Sequence, residues 1–125
     1  MRKQYHLRPS NKGFDAWDID KLIESSKTLP MVSVKLDDIK ELDENFWYQG
    51  EGDVPTCRSI GQHYKLMNEA DLTYPVILSE DRRVMDGMHR IVKALILGHE
   101  TIKAVIFEKT PPADYKDVFA DDLAY

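Results

Sequence analysis

The stretch YPVILSEDRRVMDGMHRIVKALILGHETIKAVIF, residues 74–107, predicts a strand, a polar turn, a second strand, a helix and a third strand. Apolar and β-branched residues form the strand segments, and the polar turn lies at 79–83. After the second strand the apolar residues recur at helical spacing, at Met88, Ile91, Val92 and Leu95. Gly98 follows as a helix C-terminal signal. The sequence DGMHR at 86–90 therefore lies where a strand meets a helix.

Such a junction is suited to binding an anion. The first amides of a helix lack intrahelical acceptors and carry the positive end of its dipole, so a helix beginning at Gly87 or Met88 offers several N–H groups to a phosphate or carboxylate. Arg90 adds a forked positive charge, and Gly87 allows close approach of a ligand or a positive φ. One alternative stays open, in which Asp86 is a helix N-cap, Gly87 a turn residue, and His89 and Arg90 are surface residues.

The segment resembles the ParB/sulfiredoxin superfamily. In that superfamily a strand leads into a Gly-x-x-Arg-type box, which opens a helix with an Ala-rich or Leu-rich face, and a Gly-bounded turn leads to another strand. The corresponding parts here are Val76 to Leu78, Val84 to Arg90, Ala94 with Leu95, Gly98, and Ile102 to Ile106. A fainter match lies upstream at 32–42. The resemblance implies an α/β (α+β) domain with a small mixed sheet flanked by helices.

The residues of the box separate the members of the superfamily. Sulfiredoxins carry Gly-Cys-His-Arg with the cysteine as nucleophile, whereas this chain has Met88 there, so sulfiredoxin activity is not expected. ParB partition proteins carry a Gly-Glu-Arg-Arg box that binds CTP, followed by a helix-turn-helix domain for which this chain is expected to have no room. The most similar box is the Asp-Gly-His-His-Arg of free serine kinases with a ParB-like fold, which differs only at Met88.

The resemblance implies a nucleotide- or phosphate-binding domain and, further, a kinase that transfers phosphate from ATP or ADP to a hydroxyl group of a small molecule. The implied binding residues are Asp86, Gly87, Met88, His89, Arg90 and Arg58. For Arg58, a solvated or carboxylate-paired side chain stays open as the alternative. In such kinases an acidic residue after the first strand is the base, which indicates Glu41, Asp43 or Glu44. His89 is a further catalytic candidate. Asp86 is the candidate ligand for Mg²⁺ bound with ATP, ADP or CTP.

Two other functions remain open from the sequence. The first is a non-catalytic module that binds an acidic or phosphorylated ligand, or a partner protein, through the same box. The second is a nuclease, as resemblance suggests for some ParB-like domains. The net charge of −5 argues against it and against extensive nucleic-acid binding, which needs a basic face.

Length and composition predict one domain over 1–125, with 108–125 as a C-terminal extension, because 125 residues with 42% hydrophobic content can bury one core. The single cysteine, Cys57, excludes an internal disulfide framework and is interpreted as a small buried residue. No apolar run approaches the ~20 residues needed to span a bilayer. We therefore expect no membrane partner and a cytoplasmic location of bacterial type.

Outside the box segment, the pattern predicts a helix over 18–29 capped by Asp18, a strand over 31–36 and a short helical turn over 36–42. Phe46 and Trp47 either form the lip of a binding site or cap the core. A third helix over 59–72 is predicted to face the core through Ile60, Tyr64, Met67 and Leu72. His63 and His99 are interpreted as surface residues.

The C-terminal segment is acidic and is predicted to form an amphipathic helix. Tyr115, Val118, Phe119 and Leu123 recur at helical spacing after a break at Pro111 and Pro112. Packing of this helix on its own domain is favoured. Docking on a second copy, as a homodimer, or on another partner stays open.

Overall fold

The computed structural model describes residues 3–124 as an α+β fold with three α-helices and two β-sheets. The elements in chain order are β1 (Tyr5–Pro9), β2 (Phe14–Asp18), α1 (Ile19–Ser26), β3 (Val32–Lys35), α2 (Cys57–Glu69), β4 (Val76–Leu78), β5 (Val84–Asp86), α3 (Met88–Ile96), β6 (Thr101–Ile106) and β7 (Tyr115–Val118). Short 3₁₀ turns occupy Leu36–Asp38, Lys40–Asp43 and Ala120–Asp122. Within 3–124 no helix has the length and apolar character needed to cross a membrane.

The larger sheet is mixed, as the sequence predicts. Its strand order is β3-β6-β4-β5, with β4 and β6 parallel and the other two pairs antiparallel. The chain runs from β4 through the hairpin to β5, and α3 then carries it back to β6 on the other side of β4. Residues 86–90 therefore connect the end of β5 to the start of α3, which confirms the predicted order of elements.

Alternation along β4 divides the core into two layers. Val76 and Leu78 pack in the cluster that contains Ile91 of α3, whereas Ile77 packs with Leu22 of α1 on the opposite face. Successive side chains of a strand point to opposite faces of the sheet, so a strand buried on both faces needs apolar residues at every position. The run VIL at 76–78 meets that need, and all three residues are buried.

The predicted C-terminal helix is wrong. The segment Tyr115–Val118 is the strand β7, which pairs antiparallel with β2 in a three-stranded sheet of order β1-β2-β7. The main-chain groups of β7 pair with the edge of β2, whereas a helix would pair them within the segment, and residue spacing alone does not decide between the two. Asp117 also has φ +56°, a left-handed conformation that an α-helix does not contain. Neither the second sheet nor its pairing was predicted from the sequence.

Helix α2 differs from its prediction in its start and in its packing. It begins at Cys57, and Thr56 caps it by accepting a hydrogen bond from the Ser59 amide at 3.1 Å. No residue of α2 is buried, and two of the four side chains predicted to face the core, Ile60 and Tyr64, are 53% and 57% exposed. Leu72, which follows the end of the helix, does pack against the core as predicted. The helix lies against α3 rather than on the sheet, so fewer of its side chains are covered. Cys57 is exposed, so the prediction that it is buried is wrong.

Candidate functional site

All five residues of the DGMHR sequence line one cavity of about 570 Å³, here called the box cavity. The opposite wall comes from α1 and the turn after it, through Ile23, Ser26 and Lys27. Ile77 and Val105 form part of the apolar lining. Small-molecule sites in proteins have typical volumes of roughly 300–1,000 Å³, mostly apolar walls and a few polar groups. The box cavity has these properties.

Gly87 forms the turn between β5 and α3. It is the N-cap of α3 with φ +112° and ψ 22°, so the alternative in which Asp86 caps the helix is wrong. A Cβ on Gly87 would lie 2.6 Å from Cγ1 of Val76, so the residue brings the start of α3 close to β4. Among residues 3–124 no acceptor is found for the amides of Met88, His89 and Arg90. These amides are the first three of the helix.

Arg90 links the start of α3 by hydrogen bonds to the segment before β4 and to Asp86. Its Nη1 donates to the carbonyl oxygens of Tyr74 and Pro75 at 3.1 and 2.8 Å, and its Nη2 donates to Oδ2 of Asp86 at 2.9 Å. A guanidinium has five N–H donors, and these contacts use three of them. Within the described part of the chain, the Nε hydrogen and one Nη2 hydrogen have no acceptor. Arg90 therefore has a structural role and keeps two donors for a ligand.

Asp86 is the acidic group of the box. Burial raises the pKa of its carboxyl, and the charge and hydrogen bond of Arg90 oppose that shift. In residues 3–124 there is no group of three or more His, Cys, Asp or Glu side chains that could hold a metal ion. A divalent ion at Asp86 would therefore need phosphate oxygens and water as further ligands, which is how Mg²⁺ commonly binds with nucleotides.

His89 belongs to a stacked aromatic cluster. Its Nε2 lies 2.8 Å from Nδ1 of His63, and the indole of Trp47 stacks on both imidazoles, at centroid distances of 4.9 Å to His89 and 4.1 Å to His63. Burial, followed by the charge of His63, lowers the pKa of His89 to about 4, and burial also lowers the pKa of His63. Both imidazoles are therefore neutral at pH 7, with one donating to the other.

The sequence did not predict this cluster. His63 was interpreted as a surface residue, and the fact that it faces α3 depends on the angle at which α2 packs. Trp47 packs partly against the core, as one alternative predicts, and it also lines a cavity, while its place in the lip of a binding site stays a prediction. The same holds for Phe46.

Two of the three predicted catalytic carboxylates, Glu41 and Glu44, line a second cavity of about 220 Å³, here called the acidic cavity. Met88 lines both cavities. Oε2 of Glu41 accepts a hydrogen bond from the Val84 amide at 2.5 Å, and Glu41 is 4% exposed. Glu44 pairs with Arg83, and this hydrogen bond lowers the pKa of Glu44. These two carboxylates line the acidic cavity and not the box cavity.

Two other predicted site residues line neither cavity. Asp43 is exposed at the end of the 3₁₀ turn Lys40–Asp43. Arg58 is exposed in the first turn of α2 and has no hydrogen bond or ion pair within residues 3–124. The structure thus brings Asp86 to Arg90 together and does not bring Arg58 to them.

Comparisons with protein-family models, with curated proteins and with solved structures find no match to this chain.

Proposed function

We propose that this protein binds a phosphate-bearing small molecule, with a nucleotide and its Mg²⁺ as the leading ligand, in the box cavity. One observation carries the proposal. The amides of residues 88–90, at the start of α3, have no acceptors within residues 3–124, and these same residues line a cavity of about 570 Å³. The resemblance of 86–90 to ParB-like nucleotide boxes supports the same ligand class. The exposed free thiol of Cys57 fits the reducing cytoplasm expected from the sequence.

The charges around the box cavity favour an anion that arrives with a cation. The start of α3 and Arg90 attract negative groups, and Lys27, which pairs with the exposed Glu24 at 2.8 Å, adds a further positive charge. Asp71 and Asp86 also line the cavity and would repel a bare phosphate. A divalent ion between the phosphates and a carboxylate removes that repulsion, and the apolar wall at Ile23 and Ile77 offers a surface to a nucleobase. Binding is therefore expected to depend on Mg²⁺.

An amide NMR titration tests this proposal. MgATP, MgCTP and magnesium pyrophosphate are added in turn to ¹⁵N-labelled protein, and the expected result is a saturable shift of the amides of Met88, His89 and Arg90. Because Lys27 is exposed and lines the cavity, Lys27→Glu is expected to weaken binding roughly threefold to tenfold at low salt, and less at high salt.

Lys12→Glu is the matched control, because Lys12 is exposed in the turn between β1 and β2, away from the box cavity. The control should bind as the unaltered protein does. Equal weakening by both variants would show general charge repulsion, and shifts that miss 88–90 would place the ligand elsewhere. Either result contradicts the proposal.

A second candidate function is phosphoryl transfer to a hydroxyl group of a small molecule. The observation that favours it is that the acidic cavity, with Glu41, meets the box cavity at Met88, so donor and acceptor could occupy adjacent spaces. Most of such catalysis is positioning and charge neutralisation. Against it, Glu41 lines the acidic cavity and not the box cavity, in which the phosphates are proposed to lie. The geometry therefore supports non-catalytic binding better.

Product analysis separates the two functions. The protein is incubated with ATP or ADP and serine, homoserine, threonine or inositol, and phosphorylated product is measured by ³¹P NMR. If Glu41 is the base, Glu41→Gln should lower turnover roughly 10²-fold or more while nucleotide affinity stays nearly unchanged. The absence of product with all acceptors, beside intact nucleotide binding, favours the non-catalytic module.

A further inference from the structure

Glu41, which lines the acidic cavity, has a buried acceptor oxygen without a donor. Oε1 of Glu41 is shielded from solvent and has no hydrogen-bond partner within residues 3–124. The other oxygen, Oε2, accepts from the Val84 amide and lies 3.5 Å from Nε of Arg83. A buried carboxylate oxygen without a donor is costly, so Oε1 is suited to accept a hydrogen bond from a bound group.

The charges at the acidic cavity are also unbalanced. Arg83 is shared between two carboxylates, since its Nη1 and Nη2 contact Glu44 while its Nε faces Glu41. Lys40 also acts on Glu44, from an exposed position at the surface. One further positive charge inside the cavity would therefore balance the second carboxylate. A charged hydrogen bond with a buried carboxylate is among the stronger polar contacts in proteins.

Apart from Glu41, Glu44 and Asn45, the walls of the acidic cavity are apolar or aromatic. Leu42, Phe46, Met88 and Val92 line it beside Glu41. A water molecule in the liquid occupies ~30 Å³, so a volume of about 220 Å³ exceeds what one or two waters fill and suits a small organic molecule. The cavity thus combines one acceptor, a deficit of positive charge and an apolar surface.

We propose that the acidic cavity binds a primary ammonium group carried on a small apolar body, with the ammonium donating to Oε1 of Glu41. The apolar body lies against Phe46 and Val92. This inference does not depend on the proposed nucleotide site, because none of the groups that carry it lines the box cavity except Met88, which is part of the shared wall.

Benzylamine is the probe, since it is positively charged at pH 7 and carries a compact aromatic body. We expect a saturable shift of the Val84 amide and of the Phe46 and Val92 signals in NMR spectra. Benzyl alcohol has the same shape without the charge and should bind at least tenfold more weakly. Glu41→Gln retains an acceptor for Val84 and should weaken benzylamine binding roughly tenfold or more, since it removes a charged hydrogen bond.

The matched control is Asp38→Asn, which removes an exposed carboxylate from the preceding 3₁₀ turn and should leave the affinity within about twofold. Should Glu41→Gln fail to fold, Val92→Phe serves as a second variant, because it fills the cavity and leaves the carboxylate in place. Its predicted effect is the loss of benzylamine binding.

Three results would overturn the inference. The first is no saturable shift of the Val84 amide with benzylamine. The second is equal affinity for benzylamine and benzyl alcohol. The third is unchanged affinity in both Glu41→Gln and Val92→Phe. A failure of this experiment leaves the nucleotide proposal standing, because the two titrations report on different amides, Val84 here and 88–90 there.

Discussion

Gly87→Ala is expected to lower the free energy of unfolding by about 2–5 kcal/mol. Two costs add. The left-handed φ of +112° costs an L-residue roughly 1–2 kcal/mol. The new methyl would also lie 2.6 Å from Cγ1 and 2.9 Å from Cβ of Val76, and overpacking of this kind costs roughly 1–3 kcal/mol. Urea denaturation followed by circular dichroism measures the difference.

Two other glycines separate these costs. Gly98 has φ +80°, and no atom lies within 4 Å of the point that a Cβ would occupy, so Gly98→Ala should show the conformational cost alone, about 1–2 kcal/mol. Gly61 lies inside α2 with open space around it, so Gly61→Ala should stabilise the protein by about 0.5–1 kcal/mol. If Gly87→Ala lowers the free energy of unfolding no more than Gly98→Ala does, then β4 shifts to accommodate the new methyl group.

Arg90→Met is expected to lower the free energy of unfolding by about 2–4 kcal/mol, because it removes three hydrogen bonds and leaves a largely buried carboxylate unpaired. Methionine keeps the length of the side chain and its packing along α3. Arg58→Met is the control, since Arg58 is exposed and has no partner within residues 3–124. It should change the stability by less than about 0.5 kcal/mol.

The loss in Arg90→Met should depend on pH in a defined direction. Burial raises the pKa of Asp86 and Arg90 opposes the rise, so the variant should have a still higher folded-state pKa. A carboxyl with a raised folded-state pKa disfavours folding only when ionised. The extra cost is therefore absent below the unfolded-state pKa of about 3.9 and grows as the pH rises towards the folded-state value. Stability curves at pH 4 and pH 7 test this.

Asp86→Asn in the Arg90→Met background provides the internal check. Asparagine removes the charge and should restore part of the stability at pH 7 and remove the additional pH dependence. If the double variant is as unstable at pH 7 as the single one, the carbonyl contacts to Tyr74 and Pro75 explain the loss, and the unpaired carboxylate does not.

The stretch 74–107 was predictable because its structure depends on neighbours in sequence. The apolar run of β4, the helical period from Met88 and the C-terminal glycine at 98 are local patterns, and the structure has all three. The N-cap at Asp18 is local too, since Asp18 accepts from the Asp20 amide at 2.9 Å. The position of 86–90 at a strand–helix junction follows from the same local order, whereas the cavity beside it also needs α1.

The rest depends on contacts between distant segments. Strand β7 forms by pairing with the edge of β2, and the spacing of apolar residues within 115–123 does not indicate that pairing. The pairing of His63 with His89 likewise depends on how α2 lies on α3. Glu41 was predicted as a base from its place in the chain. Its hydrogen bond to the Val84 amide could be seen only once β5 was placed beside the 3₁₀ turn.

Helix α2 is attached to the domain without burying any of its residues. Nζ of Lys93 holds its C-terminal end by donating to the carbonyl oxygens of Asn68 and Ala70 at 3.0 and 2.6 Å, and His63 holds its middle. Segments with few buried apolar contacts open at lower free energy than the core. The amide hydrogens of α2 should therefore exchange with solvent through a local opening that leaves the four-stranded sheet intact and uncovers the side of His89.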